Sequence, residues 1–231
     1  MRLAVIPARG GSKRIARKNI KSFAGKPIIA WSIEAALKSQ CFDHVIVSTD
    51  DHEIAEVARH CGATVPFIRP DTLADDHTAT IPVVRHAVEW FTTEVVEPVE
   101  VCCIYATAPF VQPEDLQKGL ELLAAAPDCN YAFSVTSYPF PIQRAIRITD
   151  GERVEMFNPE HFNTRSQDLE EAWHDAGQFY WGWARAWVAG EPVFSPKSVP
   201  LRLPRQRVQD IDTLEDWSRA EWLFKAMQGL P

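Results

Sequence analysis

Two patterns of apolar and polar residues alternate along most of the chain. Short, continuous apolar runs predict buried strands at residues 3–6, 44–48, 64–67, 99–105 and 131–136. Apolar residues three and four positions apart predict amphipathic helices between most of these runs, at residues 27–37, 51–60, 81–91 and 113–125. Because parallel strands need crossover connections, this alternation predicts a parallel sheet covered by helices on both faces.

The pattern changes at Ser137. Residues 137–171 carry three prolines and a polar stretch at 163–168, which predicts an inserted arm rather than another strand and helix. The patterns after the arm predict a return strand at 178–183, a short last strand at 207–211 and a closing helix at 213–227. We therefore expect one domain over residues 1–231, with the arm at about 137–171.

Composition places the chain among ordinary globular proteins, with 46% hydrophobic and 24% charged residues. The five cysteines are odd in number and lack CxxC spacing, so we interpret them as reduced, structural thiols. Four of the eight tryptophans lie within residues 173–187, which fits either an aromatic core or a subunit interface. The sequence shows neither a signal peptide nor an apolar run of roughly 18 residues, so we expect a cytoplasmic protein without membrane contact.

Charge is distributed unevenly along the chain. The net charge is −7, yet residues 1–33 contain eight lysines or arginines and no acid before Glu34. A local positive field within an acidic protein suits a small polyphosphate, whereas a nucleic-acid groove usually spreads its basic residues over a larger surface. We therefore expect a nucleotide ligand and no nucleic-acid partner.

A glycine-containing basic loop at residues 8–14 follows the first predicted strand. After Ala8, the paired Gly10 and Gly11 would let the backbone approach a ligand closely and direct its N–H groups to anionic oxygens. The loop matches neither the GxxxxGK[ST] nor the GxGxxG motif. The cationic side chains in and after it, at Arg9, Lys13 and Lys18, could neutralise a triphosphate and a departing pyrophosphate. The alternative is a solvated basic turn.

Two carboxylates near the end of the chain form the second candidate. Asp210 and Asp212 are two positions apart, so on an extended segment they point the same way and could share one Mg²⁺ with phosphate oxygens. The alternative is structural, because residues 213–216 look like a helix capping box and an aspartate beside a helix start favours the helix dipole.

Several motifs, in order, resemble those of CMP-sialate synthetases, which are cytidylyltransferases that activate nine-carbon 2-keto sugar acids. The motifs are IPARGGSKRIARKNI (6–20), VSTD (47–50), RPDTLADD (69–76), ATAP (106–109) and DIDT (210–213). The resemblance covers nearly the whole chain. It implies a three-layer α/β/α nucleotidyltransferase fold with a mostly parallel, twisted sheet and an inserted dimerisation arm, and hence a homodimer.

The resemblance also implies roles for individual residues. It assigns contacts with the phosphates or ribose of CTP to Arg9, Ser12, Lys13, Lys18 and Asn19, with Arg69 and Thr80 flanking the cytosine and Asp210 and Asp212 holding Mg²⁺. It assigns the sugar pocket to Tyr105, His174, Gln178 and Tyr180, with Arg165 reaching a neighbouring subunit's pocket. Alternatives remain for four of these residues. Arg69 could be a surface loop charge, His174 a core histidine, and Gln178 and Tyr180 ordinary strand residues.

Within this family, three segments are similar to the branch that activates pseudaminic acid: CIYATAPF (103–110), FNTRSQD (162–168) and HDAGQFY (174–180). The chain has Tyr105 where sialate enzymes typically carry glutamine, and His174 where they carry an arginine toward the sugar carboxylate. These departures favour pseudaminic acid over sialic acid. The alternatives are legionaminic acid, sialic acid, the eight-carbon acid of lipopolysaccharide, or a noncatalytic nucleotide-binding regulator, which the presence of Lys18, Asp210 and Asp212 disfavours.

Overall fold

The computed structural model describes residues 1–76 and 78–229. In chain order the elements are β1 (Arg2–Pro7), β2 (Ser22–Phe23), β3 (Lys26–Pro27), α1 (Ile28–Ser39), β4 (His44–Ser48), α2 (His52–His60), α3 (Thr80–Glu94), β5 (Glu100–Ile104), α4 (Pro113–Ala125), β6 (Tyr131–Ser137), β7 (Ile146–Ile148), β8 (Val154–Met156), β9 (Trp173–Trp183), α5 (Ala184–Ala189), β10 (Ser198–Arg202) and α6 (Leu214–Met227). Short 3-10 turns connect several of them. Among the described residues, none of the helices combines the length and apolar character needed to cross a bilayer.

The main sheet has the strand order β10-β6-β9-β5-β1-β4. β1 pairs in parallel with β4 and β5, and β10 pairs in parallel with β6. β9 runs antiparallel between β5 and β6. The sheet is therefore mostly parallel, as the resemblance implied, and the return strand is the element that reverses direction.

Helices cover both faces of this sheet, and the side chains of β1 show why. Ala4 and Ile6 face one apolar cluster, formed with α1 and α4, whereas Leu3 and Val5 face another, formed with α3 and α5. All four side chains are fully buried. A strand buried on both faces needs a continuous apolar run, which residues 3–6 supply. The three-layer arrangement predicted from the sequence is confirmed.

A third apolar cluster joins the two ends of the chain. Ile15, which directly follows the basic loop, and Ile211, which separates the two candidate metal ligands, pack with Phe23, Trp217 and Phe224. Fully burying an isoleucine side chain stabilises a fold by roughly 1.5–3 kcal/mol. This cluster therefore fixes the basic loop beside the C-terminal carboxylates, although some 200 residues separate them in sequence.

Two strand predictions were wrong. Residues 64–67 form no regular strand, because only Thr64 and Ile68 make isolated bridges to β4 and its end. Residues 207–211 are not a strand either, since the backbone oxygen of Arg207 accepts from Gln178 Nε2 at 2.6 Å and its guanidinium pairs with Asp115. The last strand is β10. The sequence did not predict this strand because the segment contains Pro200. Proline is tolerated there because β10 lies at the sheet edge.

The predicted arm contains the hairpin β7–β8, which pairs apart from the main sheet. Part of the tryptophan cluster lies in the core, since Trp181 and Trp187 are fully buried, whereas Trp173 is exposed beside the arm. All five cysteines, which lie within the described residues, are free thiols. Burial in an apolar surrounding raises the pKa of Cys102 and Cys103, which fits a structural role.

Candidate active site

A cleft of about 220 Å³ opens at the carboxyl end of β1, where ligands of open α/β sheets usually bind. Most of the residues predicted to bind nucleotide line it: Arg9, Ser12, Lys13, Lys18, Asn19, Arg69 and Thr80. Tyr105, predicted to contact the sugar, also lines this cleft. The folded chain thus brings together Thr80 and residues from three separate sequence motifs, at 6–20, 69–76 and 103–110.

The two glycines of the basic loop are not among the residues that line the cleft. Gly10 N–H donates to Asp50 Oδ1 at 3.1 Å, and a Cβ on Gly10 would lie 2.7 Å from Asp51 Oδ2. Gly10 is therefore needed for the close approach of Asp51. A Cβ on Gly11 would meet no atom within 4 Å, and Ala8 is buried with its N–H on Ser48. The contacts of this backbone with the nucleotide stay a prediction.

A second set of contacts fixes the loop against α2. Arg17 adopts a left-handed conformation with φ 53° and pairs with Asp51, the N-cap of α2, at 2.5 Å, and with Glu53. Hydrogen bonding to Arg17 lowers the pKa of Asp51 to about 2. Asn19 is buried and donates to the Arg9 backbone oxygen at 2.9 Å. Asn19 thus shapes the loop from within, alongside its place in the cleft lining.

Four cations in and just after the basic loop line the cleft, and each is held by a carboxylate. Asp76 bridges Arg9, at 2.5 Å, and Lys13. Asp212 Oδ1 lies 2.9 Å from Arg14 Nη2 and 3.4 Å from Lys18 Nζ. The predictions from the sequence assigned no partner acids to this loop and did not include Arg14 among the site residues. The position of Arg14 within the run of basic residues is the sequence signal that could have identified it.

Arg69 is a buried cation, with only 3% of its surface exposed. Its Nη2 lies 3.3 Å from Asp50 Oδ1, and its Nε has no hydrogen-bond partner among the described residues. Burial lowers the pKa of Arg69, and the contact with Asp50 opposes that change. A buried guanidinium with an unused donor at a cleft favours a ligand that supplies an acceptor. The alternative of a surface loop charge was wrong.

The C-terminal carboxylates lie at the edge of the cleft, outside its lining. Lys18 Nζ donates to the Ile211 backbone oxygen at 2.7 Å, which ties Asp210 and Asp212 to the basic loop. Partial burial, and next the negative charge of Asp212, raise the pKa of Asp210. The capping box at the start of α6 is present and is formed by Thr213 and Asp216. The helix cap therefore does not account for the other two acids.

Apart from Tyr105, which lines the first cleft, the residues predicted for the sugar pocket are spread over three places. Tyr180 and Gln178 are buried in β9 at 4% and 3% exposure, and Gln178 Oε1 has no partner among the described residues. His174 lies in a second cavity, lined also by Tyr138, Trp173 and Asp175. Arg165 is exposed on the arm, where it pairs with Asp168 at 2.7 Å. The structure does not bring Arg165 to either cavity of its own chain.

Comparison with known proteins gives a consistent picture. A family model described as Cytidylyltransferase matches residues 3–180. A pseudaminic acid cytidylyltransferase of Campylobacter jejuni subsp. jejuni serotype O:2 is 45% identical over 223 residues, covering 96% of each chain. A CMP-N,N'-diacetyllegionaminic acid synthase of Legionella pneumophila is 34% identical over 233 residues, covering 98% of this chain and 97% of the relative.

A solved structure supports the fold. The CMP:2-keto-3-deoxy-manno-octonic acid synthetase complexed with CTP superposes with a TM-score of 0.71, covering 98% of this chain and 99% of the other. Its sequence is 16% identical to this one. At that identity the likeness establishes the shared architecture.

Proposed function

Because this chain belongs to the cytidylyltransferase family, we propose that it transfers the cytidylyl group of CTP to pseudaminic acid, a nine-carbon 2-keto sugar acid, and releases pyrophosphate. The observation that carries the proposal is the contact of Lys18 with Ile211 and Asp212 at the cleft, across 193 positions of sequence. This contact joins the basic loop, which is of a type that binds phosphate, to the carboxylates of Asp210 and Asp212. The full-length similarity to pseudaminic acid enzymes supports the choice of sugar.

We propose that the triphosphate replaces Asp76 as the partner of Arg9 and Lys13. These ion pairs lie at the surface, and exposed pairs of this kind contribute little to stability. A triphosphate offers more negative charge and more acceptor oxygens than one carboxylate. Entry of the nucleotide then opens a cleft that Asp76 partly closes, while the free Nε of Arg69 meets an acceptor of the base or ribose.

We propose that Mg²⁺ completes the site, and the donor set fits it. The pKa of Asp210 is raised by partial burial and by Asp212, a strain that a divalent cation would relieve. Among residues 1–76 and 78–229, no group of three or more metal-binding side chains is found, so phosphate oxygens and water would supply the remaining ligands. When bound, Mg²⁺ would neutralise the triphosphate and polarise its α-phosphate.

The side chains of this protein then act through position and charge. The anomeric C2 hydroxyl oxygen forms a bond to the α-phosphorus while the bond from that phosphorus to the pyrophosphate oxygen breaks, and the hydroxyl gives up its proton to water. Lys18 and Arg9 stabilise the negative charge that develops on pyrophosphate. No covalent intermediate with the protein is needed, since alignment of the two reactants supplies much of the rate enhancement.

We propose that the sugar acid lies between the two cavities. Tyr105 lines the first and His174 the second, and the second has about 530 Å³, within the roughly 300–1,000 Å³ of small-molecule sites. The aromatic rings of Tyr138 and Trp173 line the second cavity and suit the apolar groups of an acylated sugar. His174 supplies a polar group beside them.

A panel of acids tests the proposal directly. Purified protein with CTP and Mg²⁺ is expected to release pyrophosphate with pseudaminic acid at a kcat/KM about tenfold or more above that with N,N'-diacetyllegionaminic or N-acetylneuraminic acid, since hydrogen-bonding sites discriminate strongly. A coupled pyrophosphate assay measures this, with reactions lacking acid as the control. A preference for another acid would contradict pseudaminic acid as the substrate and identify that acid instead. CTP binding without turnover on any acid would instead indicate a noncatalytic regulator.

We propose that the chain forms a homodimer through its arm. The arm exposes a group of large apolar side chains: Tyr138, Phe140, Ile142, Ile146, Ile148, Val154, Phe157 and Phe162. Monomers rarely expose so many apolar side chains close together. An arm covered by a second copy would also carry Arg165 toward a neighbouring cavity.

Charged substitutions in the arm test the dimer. We expect the wild-type protein to sediment as a dimer at micromolar concentration and the Phe140→Asp/Phe162→Asp variant as a monomer, because each charge would need to be buried unpaired. The matched control is Trp222→Asp on α6, where the side chain is 72% exposed. A monomeric wild type, or equal dissociation of both variants, would contradict this interface.

We also propose a cytoplasmic location. The five thiols are free in the described part of the chain, and reduced cysteines are typical of that compartment. CTP is supplied there as well, in keeping with the proposed reaction.

A further inference from the structure

The segment that carries the C-terminal acids is irregular. It leaves the sheet after Leu203, whose N–H donates to the Val135 backbone oxygen at 2.8 Å. Residues 204–213, all of them described, belong to none of the strands, and a short 3-10 turn at Arg205–Arg207 is their regular element. Because a strand ladder does not set the course of this segment, other contacts must fix where Asp210 lies.

Arg207 anchors this segment through both its side chain and its backbone. Its Nη1 and Nη2 lie 2.5 and 3.3 Å from the two carboxylate oxygens of Asp115, in the first turn of α4. Its backbone oxygen accepts from Gln178 Nε2, on β9, at 2.6 Å. The chain is thus tied to a helix and to the sheet at one residue, three positions before Asp210.

The pair of Asp115 and Arg207 is largely shielded from water. The Asp115 side chain is 7% exposed and that of Arg207 is 20% exposed. A shielded carboxylate needs a partner, and a planar guanidinium can meet both of its oxygens, which fixes orientation as well as distance. An aspartate in the first turn of a helix also favours the helix dipole, but that role does not require an arginine from 92 positions away.

A second anchor follows at Ile211. Its backbone oxygen accepts from Lys18 Nζ at 2.7 Å, and its side chain is buried in the third apolar cluster. Asp210 therefore lies between two fixed points, at Arg207 and Ile211. Side chains that bind a metal must be held to within about 0.5 Å, so a shift of either point would affect binding.

We infer that Arg207 is a positioning residue for the metal site: paired with Asp115, it holds the segment that presents Asp210 and Asp212 to Mg²⁺. Arg207 acts through these two acids and not by contact with the metal or the substrates. This inference rests on the proposed function, in which the two acids bind Mg²⁺.

Asp115→Asn tests the pair with little change of shape. The amide keeps one acceptor oxygen but turns an NH₂ group toward the guanidinium in place of the other. We expect the half-saturating Mg²⁺ concentration for pyrophosphate release to rise about tenfold, the lower end of the usual loss when a group that orients metal ligands is removed. Arg207→Lys keeps the charge without the planar fork, so a smaller rise is expected.

Binding of Mg²⁺ can also be measured without turnover. With CTP present and the acid omitted, the melting temperature of the wild type should rise as Mg²⁺ is added, because a ligand of the folded state stabilises it. In Asp115→Asn the same rise should need about tenfold more Mg²⁺. A purely structural role of the pair would lower the melting temperature at every Mg²⁺ concentration and leave this dependence unchanged.

A second variant serves if Asp115→Asn does not fold. Asp115→Leu/Arg207→Met replaces the pair by apolar side chains, an exchange that often preserves stability, and removes the directional contact. The same shift is expected. The matched control is Glu34→Gln, which weakens an ion pair with Lys26, a cation that is 25% exposed; both residues lie outside the cleft lining. Its Mg²⁺ dependence should equal that of wild type.

The outcomes separate this inference from the proposed function. A wild type that turns over no acid with CTP overturns the proposed reaction, and the melting experiment still decides the role of Arg207. A wild type whose turnover and melting temperature are independent of Mg²⁺ overturns the metal site and this inference together. Unchanged Mg²⁺ dependence in the folded variants, or an equal shift in Glu34→Gln, overturns the role of Arg207 alone.

Discussion

Replacing Asp212 by asparagine is expected to lower turnover with CTP and the preferred acid by about 10²-fold or more, the typical loss of a transition-state electrostatic contact. Asp212 lies where the cations of the basic loop meet the C-terminal acids, with Arg14 at 2.9 Å and Lys18 at 3.4 Å. The amide keeps the shape of the side chain and removes its charge. Initial rates of pyrophosphate release over a range of Mg²⁺ concentrations measure the effect, and the half-saturating Mg²⁺ concentration should rise.

The control for this variant separates metal binding from helix capping. Asp216 accepts from Thr213 in the capping box of α6, so Asp216→Ala should lower stability by about 1 kcal/mol and leave turnover within about twofold. Thermal unfolding of both variants measures the stability. Near-normal turnover of Asp212→Asn at saturating Mg²⁺ would reject the metal site.

Local sequence signals predicted most of the sheet and its helices. The predicted strand at 44–48 and helix at 113–125 have the bounds of β4 and α4. Both are well marked, since β4 is a run of buried apolar residues and α4 begins at a proline followed by two acids. Prediction failed where tertiary contacts decided the outcome, as for residues 207–211, whose backbone is held by Gln178 and whose Arg207 pairs with Asp115.

The candidate site was predictable in its residue types and less so in its contacts. Charge concentration alone identified the basic loop, because eight cations without an acid are conspicuous in an acidic chain. The pairing of Arg17 with Asp51, and of Arg9 with Asp76, depends on contacts 34 and 67 positions apart. No local sequence pattern predicts contacts between residues so far apart.

The meeting of the two chain ends has a second measurable consequence. We expect Lys18→Met to lower kcat/KM for CTP by about 10²-fold or more, because methionine keeps much of the apolar stem while removing the charge that faces the leaving group. Lys18 is also the donor that holds the Ile211 backbone oxygen, at 2.7 Å, and its side chain is only 20% exposed. The loss of the charge and the looser C-terminal segment would both lower kcat/KM for CTP.

Lys21→Met is the matched control, since Lys21 belongs to the same basic segment and is exposed outside the cleft lining, with its Nζ 5.3 Å from the Trp217 ring. Its kcat/KM should remain within about threefold of wild type. Steady-state kinetics with CTP varied at saturating acid would measure both variants. Equal, small effects in the two would mean that the general positive field of the N-terminal segment, rather than the placement of Lys18 against Asp212, provides the charge for the reaction. A large effect confined to Lys18 would support joint action of the two ends of the chain on the triphosphate.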